Sequence, residues 1–288
     1  MRKALIVAPF AALIASSASA QELTYGQLYA STAELSFDGV DVDDVDGEIY
    51  GGGFEFVVDS FTFSGDIARV SVEDFDTDIG AIAAEYTFTN GLSLGLEHAR
   101  VDFEGIDASL NSIFAVYETG SVAVGASIGD SDDLEDEPVA VFASFDVSPN
   151  GTIGAELLTL DDTDILALYA DYDAETYEFY ASYVDFDGFD VLIFDTSFNI
   201  STKFAVTAGY ANLSFDGGGD ADAYSVGAKY AITDSVDIAA SYGNLSVDSV
   251  DADVIAFGLE FEIGERTSAR SSFTDVVGRT AGASTGSF

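Results

Sequence analysis

Apolar and polar residues alternate with period two along this chain, in run after run bounded by turn residues. Tyr50, Phe54, Phe56 and Val58 alternate with Gly51, Gly53, Glu55 and Val57; Phe61, Phe63 and Ile67 alternate with Thr62, Ser64 and Asp66. Ile82, Ala84, Tyr86 and Phe88 are set against Ala83, Glu85 and Thr87 in the same way. Tyr177, Phe179, Ala181 and Tyr183 alternate with Glu178, Tyr180 and Ser182, and Tyr224, Val226, Ala228 and Tyr230 with Ser225, Gly227 and Lys229. Successive side chains of a strand point to opposite faces, so the pattern specifies strands with one apolar face. Each run has about the 9–11 residues of a tilted strand that crosses a bilayer.

The runs predict about sixteen strands. They start near Leu23, Ile49, Ser60, Ile79, Leu92, Ala108, Val122, Val139, Thr152, Ile165, Tyr177, Val191, Phe204, Ala223, Val236 and Asp253. An even number puts both barrel termini at the same end. No linker or composition break interrupts residues 21–264, so one all-β domain is expected there: a transmembrane antiparallel up-and-down β-barrel. A soluble all-β sandwich also alternates apolar and polar residues. Against it stand the aromatics near the turns (Phe61, Phe63, Tyr86, Phe88, Tyr177, Phe179, Tyr230, Tyr242), placed like an interfacial girdle. The inward face also reads as polar and small rather than as a second apolar layer.

The connections predict which end is which. After odd strands come acidic stretches at residues 41–46, 73–78, 102–107, 130–137, 161–164, 185–190, 216–222 and 248–253. After even strands come tight, nearly uncharged turns such as Thr89-Asn90-Gly91, where Asn and Gly tolerate positive φ. In outer-membrane barrels the short turns are periplasmic and the longer loops extracellular.

Composition removes other classes. The formal net charge of −43 excludes phosphate-backbone binding, which needs clustered Lys and Arg. Hydrophobic residues at 48% and aromatics at 13% let so acidic a chain pack instead of staying disordered. Without Cys there is no disulfide framework or thiolate metal site. Residues 1–20 read as a secretory signal peptide: Arg2 and Lys3, an apolar stretch from Ala4 to Ile14, and Ala18-Ser19-Ala20 before Gln21. Beyond Ala20 no apolar run is long enough for a spanning helix, so a membrane form must cross as a closed barrel.

Parity assigns faces. With apolar residues toward lipid, the opposite face collects Glu34, Glu55, Asp66, Glu85, Glu97, Glu156, Asp171, Glu178, Asp195, Asp237, Glu260 and Glu262, with Lys229 as the clear cation among them. A bare carboxylate on the lipid face is costly, which argues for a wet lumen. Confined carboxylates attract cations and repel anions. Arg69, His98 and Arg100 take the lipid parity near the acidic ends of their strands, within reach of the interface and of lipopolysaccharide phosphates. Asp41, Asp43, Asp44 and Asp46 are weak candidates for loosely bound calcium, although that stretch lacks EF-hand spacing and a solvated acidic face explains it as well. Catalysis is not expected: there is one His, no Cys and no positioned nucleophile.

The motifs YSVGAKYAIT, IAASYGNL and FGLEFEI, within residues 223–263, resemble the closing hairpins of alphaproteobacterial, Rhodobacter-type general porins. The resemblance in strand pattern extends over most of residues 21–264. It implies a Gram-negative outer-membrane barrel of sixteen strands, a homotrimer, and passive diffusion of small hydrophilic solutes without a cofactor. The chain departs from the family at two places. The connection at residues 102–107 is too short for the long inward-folded third loop of such porins, and their arginine cluster has no counterpart. The chain also continues past FGLEFEI to Phe288. Residues 265–288, with Arg266, Arg270 and Arg279, are either a disordered periplasmic tail or a basic segment that plugs an acidic lumen. The function expected is a cation-preferring porin. The alternatives are a surface-contact barrel that binds divalent cations or lipopolysaccharide through its acidic loops, and an occluded channel for small or hydrophobic solutes.

Overall fold

The computed structural model describes residues 22–37, 44–73, 75–103, 106–132, 136–160, 163–247, 250–264 and 266–268. The signal-peptide segment, Asp41 and Asp43 lie outside the described residues, as does the tail from residue 269.

Sixteen antiparallel strands form one closed sheet. They are β1 (Glu22–Phe37), β2 (Val45–Val58), β3 (Phe61–Val72), β4 (Phe75–Thr87), β5 (Leu92–Phe103), β6 (Ile106–Thr119), β7 (Val122–Asp130) and β8 (Val139–Ser148). They continue as β9 (Gly151–Leu160), β10 (Thr163–Ala174), β11 (Tyr177–Phe186), β12 (Phe189–Ser201), β13 (Phe204–Phe215), β14 (Asp220–Thr233), β15 (Val236–Val247) and β16 (Val250–Gly264). Each strand pairs with its sequence neighbours, and β1 pairs with β16 to close the barrel. Closure leaves no unpaired sheet edge, which is what a bilayer requires of strands.

The tight turns form as their residues dictate. Gly91 sits at φ 83 and Gly120 at φ 61, and the Asn90 side chain accepts a hydrogen bond from the Leu92 amide at 3.3 Å. The acidic connections differ from the sequence expectation. β3 and β4 are joined by residues 73–74, and β11 and β12 by residues 187–188. Many of the carboxylates read as loop residues are therefore strand residues. Asp46, Asp76, Asp78, Asp185, Asp190, Asp220, Asp222, Asp251 and Asp253 all lie within strands.

The register shows where they point. Exposed apolar residues mark the outward face: Leu96 at 61%, Val226 at 61%, Ile82 at 60%. On β14 that face reads Ile232, Tyr230, Ala228, Val226 and Tyr224, then Asp222 and Asp220. On β16 it reads Ile263, Phe261, Leu259, Phe257 and Ile255, then Asp253 and Asp251. Five alternate positions span about 21 Å of tilted strand, close to the height of an outer-membrane apolar band. A collar of outward carboxylates stands immediately above the band, at the acidic end.

The inward face inverts at the same level. Near the turns it is polar, as expected. Toward the acidic end it is apolar, which corrects the expectation of a polar inward face throughout. Ala140, Leu158, Ile165, Ala167 and Val184 form a buried cluster against which Leu160 and Phe186 pack. All of them lie on the inward face, as do Ile193 and Ala252. Above the membrane band the wall thus has the sidedness of a soluble barrel, with acid outside and hydrocarbon inside.

Candidate functional site

The inward face of the turn-side and middle levels collects the chemistry. Glu55, Asp66, Glu85, Glu97, Glu156, Asp171, Glu178, Asp195, Lys229, Asp237, Glu260 and Glu262 all share it through the strand registers. Glu34 does not. It pairs across the sheet with Ile255 and Asp46, both outward, so it belongs to the acidic collar. The sequence misplaces it because β1 alternates small and polar residues around Ser31 and Thr32, where parity has no large apolar residue to anchor it.

Two clusters emerge. In the first, Lys229 Nζ lies 3.1 Å from Asp237 Oδ2 and 3.1 Å from Glu260 Oε2. Gln27 Nε2 donates to the other oxygen of Glu260 at 2.7 Å, and the Tyr25 hydroxyl donates to Gln27 Oε1 at 2.8 Å. The barrel seam between β1 and β16 is thereby tied by side chains as well as by the ladder.

The second cluster holds the residues that follow the closing strand. Gly264 takes φ 72, which turns the chain at the end of β16. Arg266 then stacks its guanidinium 4.6 Å from the centroid of the Tyr25 ring. It grips Asp66 with both terminal nitrogens, Nη1 at 3.2 Å from Oδ2 and Nη2 on Oδ1. Such a fork geometry is the strong form of an arginine–carboxylate pair. The Thr267 amide and hydroxyl donate to Glu55 Oε1 at 2.8 and 2.6 Å. Ser268 donates its amide to Glu55 Oε2 at 3.3 Å and its hydroxyl to Glu85 Oε2 at 3.1 Å. Residues 266–268 therefore form a strap that crosses β1, β2, β3 and β4 on the inward face. Glu55, 1% exposed, is buried beneath it and also accepts from Thr24 Oγ1 at 2.8 Å. A cavity of about 370 Å³, lined by Glu85, Glu118, Thr87, Ser93 and Ser268 among others, opens beside the strap.

At the middle level, inward aromatics lie across inward glycines of the neighbouring strand. They include Tyr29 on Gly51, Phe114 on Gly95, Phe142 on Gly125 and Tyr169 on Gly154, and each pair sits directly opposite in register. A Cβ at any of these glycines would collide with the ring. The glycines let large rings lie flat along the wall instead of projecting into the lumen.

Outside the barrel, Arg69 pairs with Asp76 at 3.5 Å and Asp78 at 3.1 Å, and Arg100 with Asp102 at 3.8 Å. His98 Nδ1 meets Asn111 Oδ1 at 2.9 Å. All three are components of the collar. Among the described residues no group of three His, Cys, Asp or Glu side chains converges as a metal site; Asp44 and Asp46 are exposed. Sequence reasoning missed Glu118, whose parity with Phe114 and Val116 gives its face, and it missed Gln27. The strap contacts carried no sequence signal beyond the basic character of the tail.

A model of the Gram-negative porin family matches residues 139–276, from β8 through the strap. No curated protein sequence matches the chain. Among solved structures, a triple mutant of Rhodopseudomonas blastica porin is similar at 16% identity and a TM-score of 0.53. That match covers 84% of this chain and 100% of the porin. A second mutant of the same porin matches at 16% identity and a TM-score of 0.52, with the same coverage. OpdQ of Pseudomonas aeruginosa matches at 10% identity and a TM-score of 0.54, over 85% of this chain and 99% of that one. Family match over residues 139–276 and closed sixteen-strand barrel agree, and in both the chain is similar to the Gram-negative porins, β-barrels of the bacterial outer membrane.

Proposed function

We propose that this porin passes small hydrophilic solutes and ions by diffusion, with a preference for cations. The observation that carries the reading is the charge of the inward face. Carboxylates at Glu97, Glu156, Asp171, Glu178 and Asp195 share that face with two described cations, Lys229 and Arg266. Each of those cations is already held by carboxylates. The net field in the lumen is therefore negative, which concentrates cations and excludes anions. The tight turns then face the periplasm and the acidic collar faces outward from the cell. Assembly as a homotrimer belongs to the same reading and rests on the family resemblance. As a porin the protein is not an enzyme.

Reversal potential in a potassium chloride gradient tests this. The refolded chain in a planar bilayer is expected to give a potential of cation-selective sign. Neutralising Glu97, Asp171 and Glu178 together is expected to move it toward zero. A potential that stays unchanged in that variant refutes the role given to these residues.

The collar favours a second, compatible reading. Outward carboxylates immediately above an apolar band stand at the level of lipopolysaccharide phosphates. Divalent cations, calcium among them, bridge such groups. In this reading Glu34, Asp44 and Asp46 act on the outside of the barrel rather than in the lumen.

A further inference from the structure

The seam between β1 and β16 differs from every other strand pair of the barrel. Neighbours elsewhere are joined by the short connection between them, whereas all the other strands separate β1 from β16. Closing so long a loop carries the largest entropic cost of any pairing in the sheet. Opening it exposes two strand edges that a bilayer cannot satisfy. Cross-strand packing is thin there. Leu28 apart, β1 offers only Gly26, Ala30 and Thr32 to Ile263, Leu259 and Phe257 on the outward face.

The strap supplies what the ladder lacks. The chain turns across β1 at Gly264, where a Cβ would strike the Thr24 carbonyl. Arg266, Thr267 and Ser268 then reach past the seam, and Tyr25 of β1, Glu55 of β2, Asp66 of β3 and Glu85 of β4 each hold one of them. Four N-terminal strands are thereby fastened to the end of the closing strand by contacts that bypass the β1–β16 ladder. The wall is shaped for the central pair. Gly53 faces inward directly opposite Asp66, and a Cβ at Gly53 would collide with both Asp66 Oδ1 and Arg266 Nη2. The Arg266 and Asp66 side chains are 31% and 29% exposed, so solvent screens their pair only in part.

We propose that residues 266–268 are a latch on the closing seam, which slows opening of the finished barrel. Arg266 reaches Asp66 only once β16 has paired with β1, so the latch forms after closure. A contact absent from the folding transition state slows unfolding and leaves the folding rate alone. The strap thus gives kinetic stability to the one joint of the barrel that no turn holds together.

Unfolding and refolding rates of the full-length protein in lipid vesicles, followed by circular dichroism, test this. Arg266→Gln and Asp66→Asn are each expected to speed unfolding by about tenfold, the worth of one charge-assisted pair, with refolding unchanged. The double variant is expected to unfold no faster than either single one, because both lose the same contact. Gly53→Ala keeps every charge but displaces the pair, and it is expected to speed unfolding in the same way. Unchanged unfolding rates, or a matching fall in the refolding rates, overturn the proposal. The absence of cysteine allows a second arm. Ala30→Cys with Leu259→Cys stands across the seam, and Ala84→Cys with Leu96→Cys stands across the turn-joined β4–β5 pair. Once oxidised, the seam pair is expected to restore slow unfolding to Arg266→Gln, and the β4–β5 pair is not. Equal rescue by both overturns the assignment to the seam; if the seam pair does not oxidise, the rates of the four variants decide alone. None of these measurements depends on ion flow, so their outcome is separate from that of the cation reading.

Discussion

At single residues, Lys229 and Glu55 show how a charge is tolerated on a barrel wall. Lys229 sits between Asp237 and Glu260, and the Gln27 amide completes the set. Lys229→Met removes the cation and leaves two carboxylates facing one another at the seam. Partly exposed groups lose less than buried ones, so a destabilisation of about 1–3 kcal/mol is expected. The midpoint of heat-induced unfolding of the detergent-solubilised barrel measures it; an unchanged midpoint contradicts the role assigned to the triad. Glu55 illustrates what local sequence could not announce. Its parity named the face, yet its partners Thr24, Thr267 and Ser268 come from β1 and from beyond the last strand. No local pattern links residue 55 to residue 267.

Among the strands, the two faces exchange character along the length of the element. On β5 the outward face runs Leu92, Leu94, Leu96, then His98, Arg100 and Asp102. A cation placed in the band costs about 2–4 kcal/mol at the bilayer midplane and far less near the interface. Leu96→Lys is therefore expected to lower folding stability in lipid vesicles by that amount, while Asp78→Lys in the collar changes it little. Equal effects at the two sites would contradict the assigned band. Strands that begin at the tight turns start within one residue of their predicted positions, as at Leu92, Val122, Tyr177 and Phe204. Those that begin at the acidic end, β8 excepted, start earlier, at Phe75 rather than Ile79 and at Phe189 rather than Val191. The cause is physical. Near the turns, aromatics and glycines punctuate an apolar-out pattern. At the acidic end the outward residues are aspartates, which resemble loop residues in sequence although they are paired in the sheet.

Taken whole, the molecule is a membrane cylinder continued by a stretch of soluble-like wall, with the strap at one mouth. The acidic collar predicts a divalent-dependent contact with lipopolysaccharide. Purified lipopolysaccharide is expected to bind the refolded barrel in magnesium and to be released by chelation. Replacing Asp76, Asp78, Asp220 and Asp222 by Asn should weaken that binding, and binding indifferent to both changes would exclude the bridged contact. The linear order of residues was enough to specify the strands, their number, their antiparallel order and the end at which acid gathers. Alternation, turn residues and charge are local quantities, and sixteen repetitions of them leave closure as the only way to satisfy the backbone in a bilayer. Three features needed the folded chain: the acid stands on the outside of the strands, hydrocarbon lines the lumen at that level, and the C-terminal strap returns to Glu55 and Asp66. Each depends on the register between strands or on contacts between residues far apart in the chain, as between Asp66 and Arg266, and a one-residue shift in register exchanges the two faces of a strand.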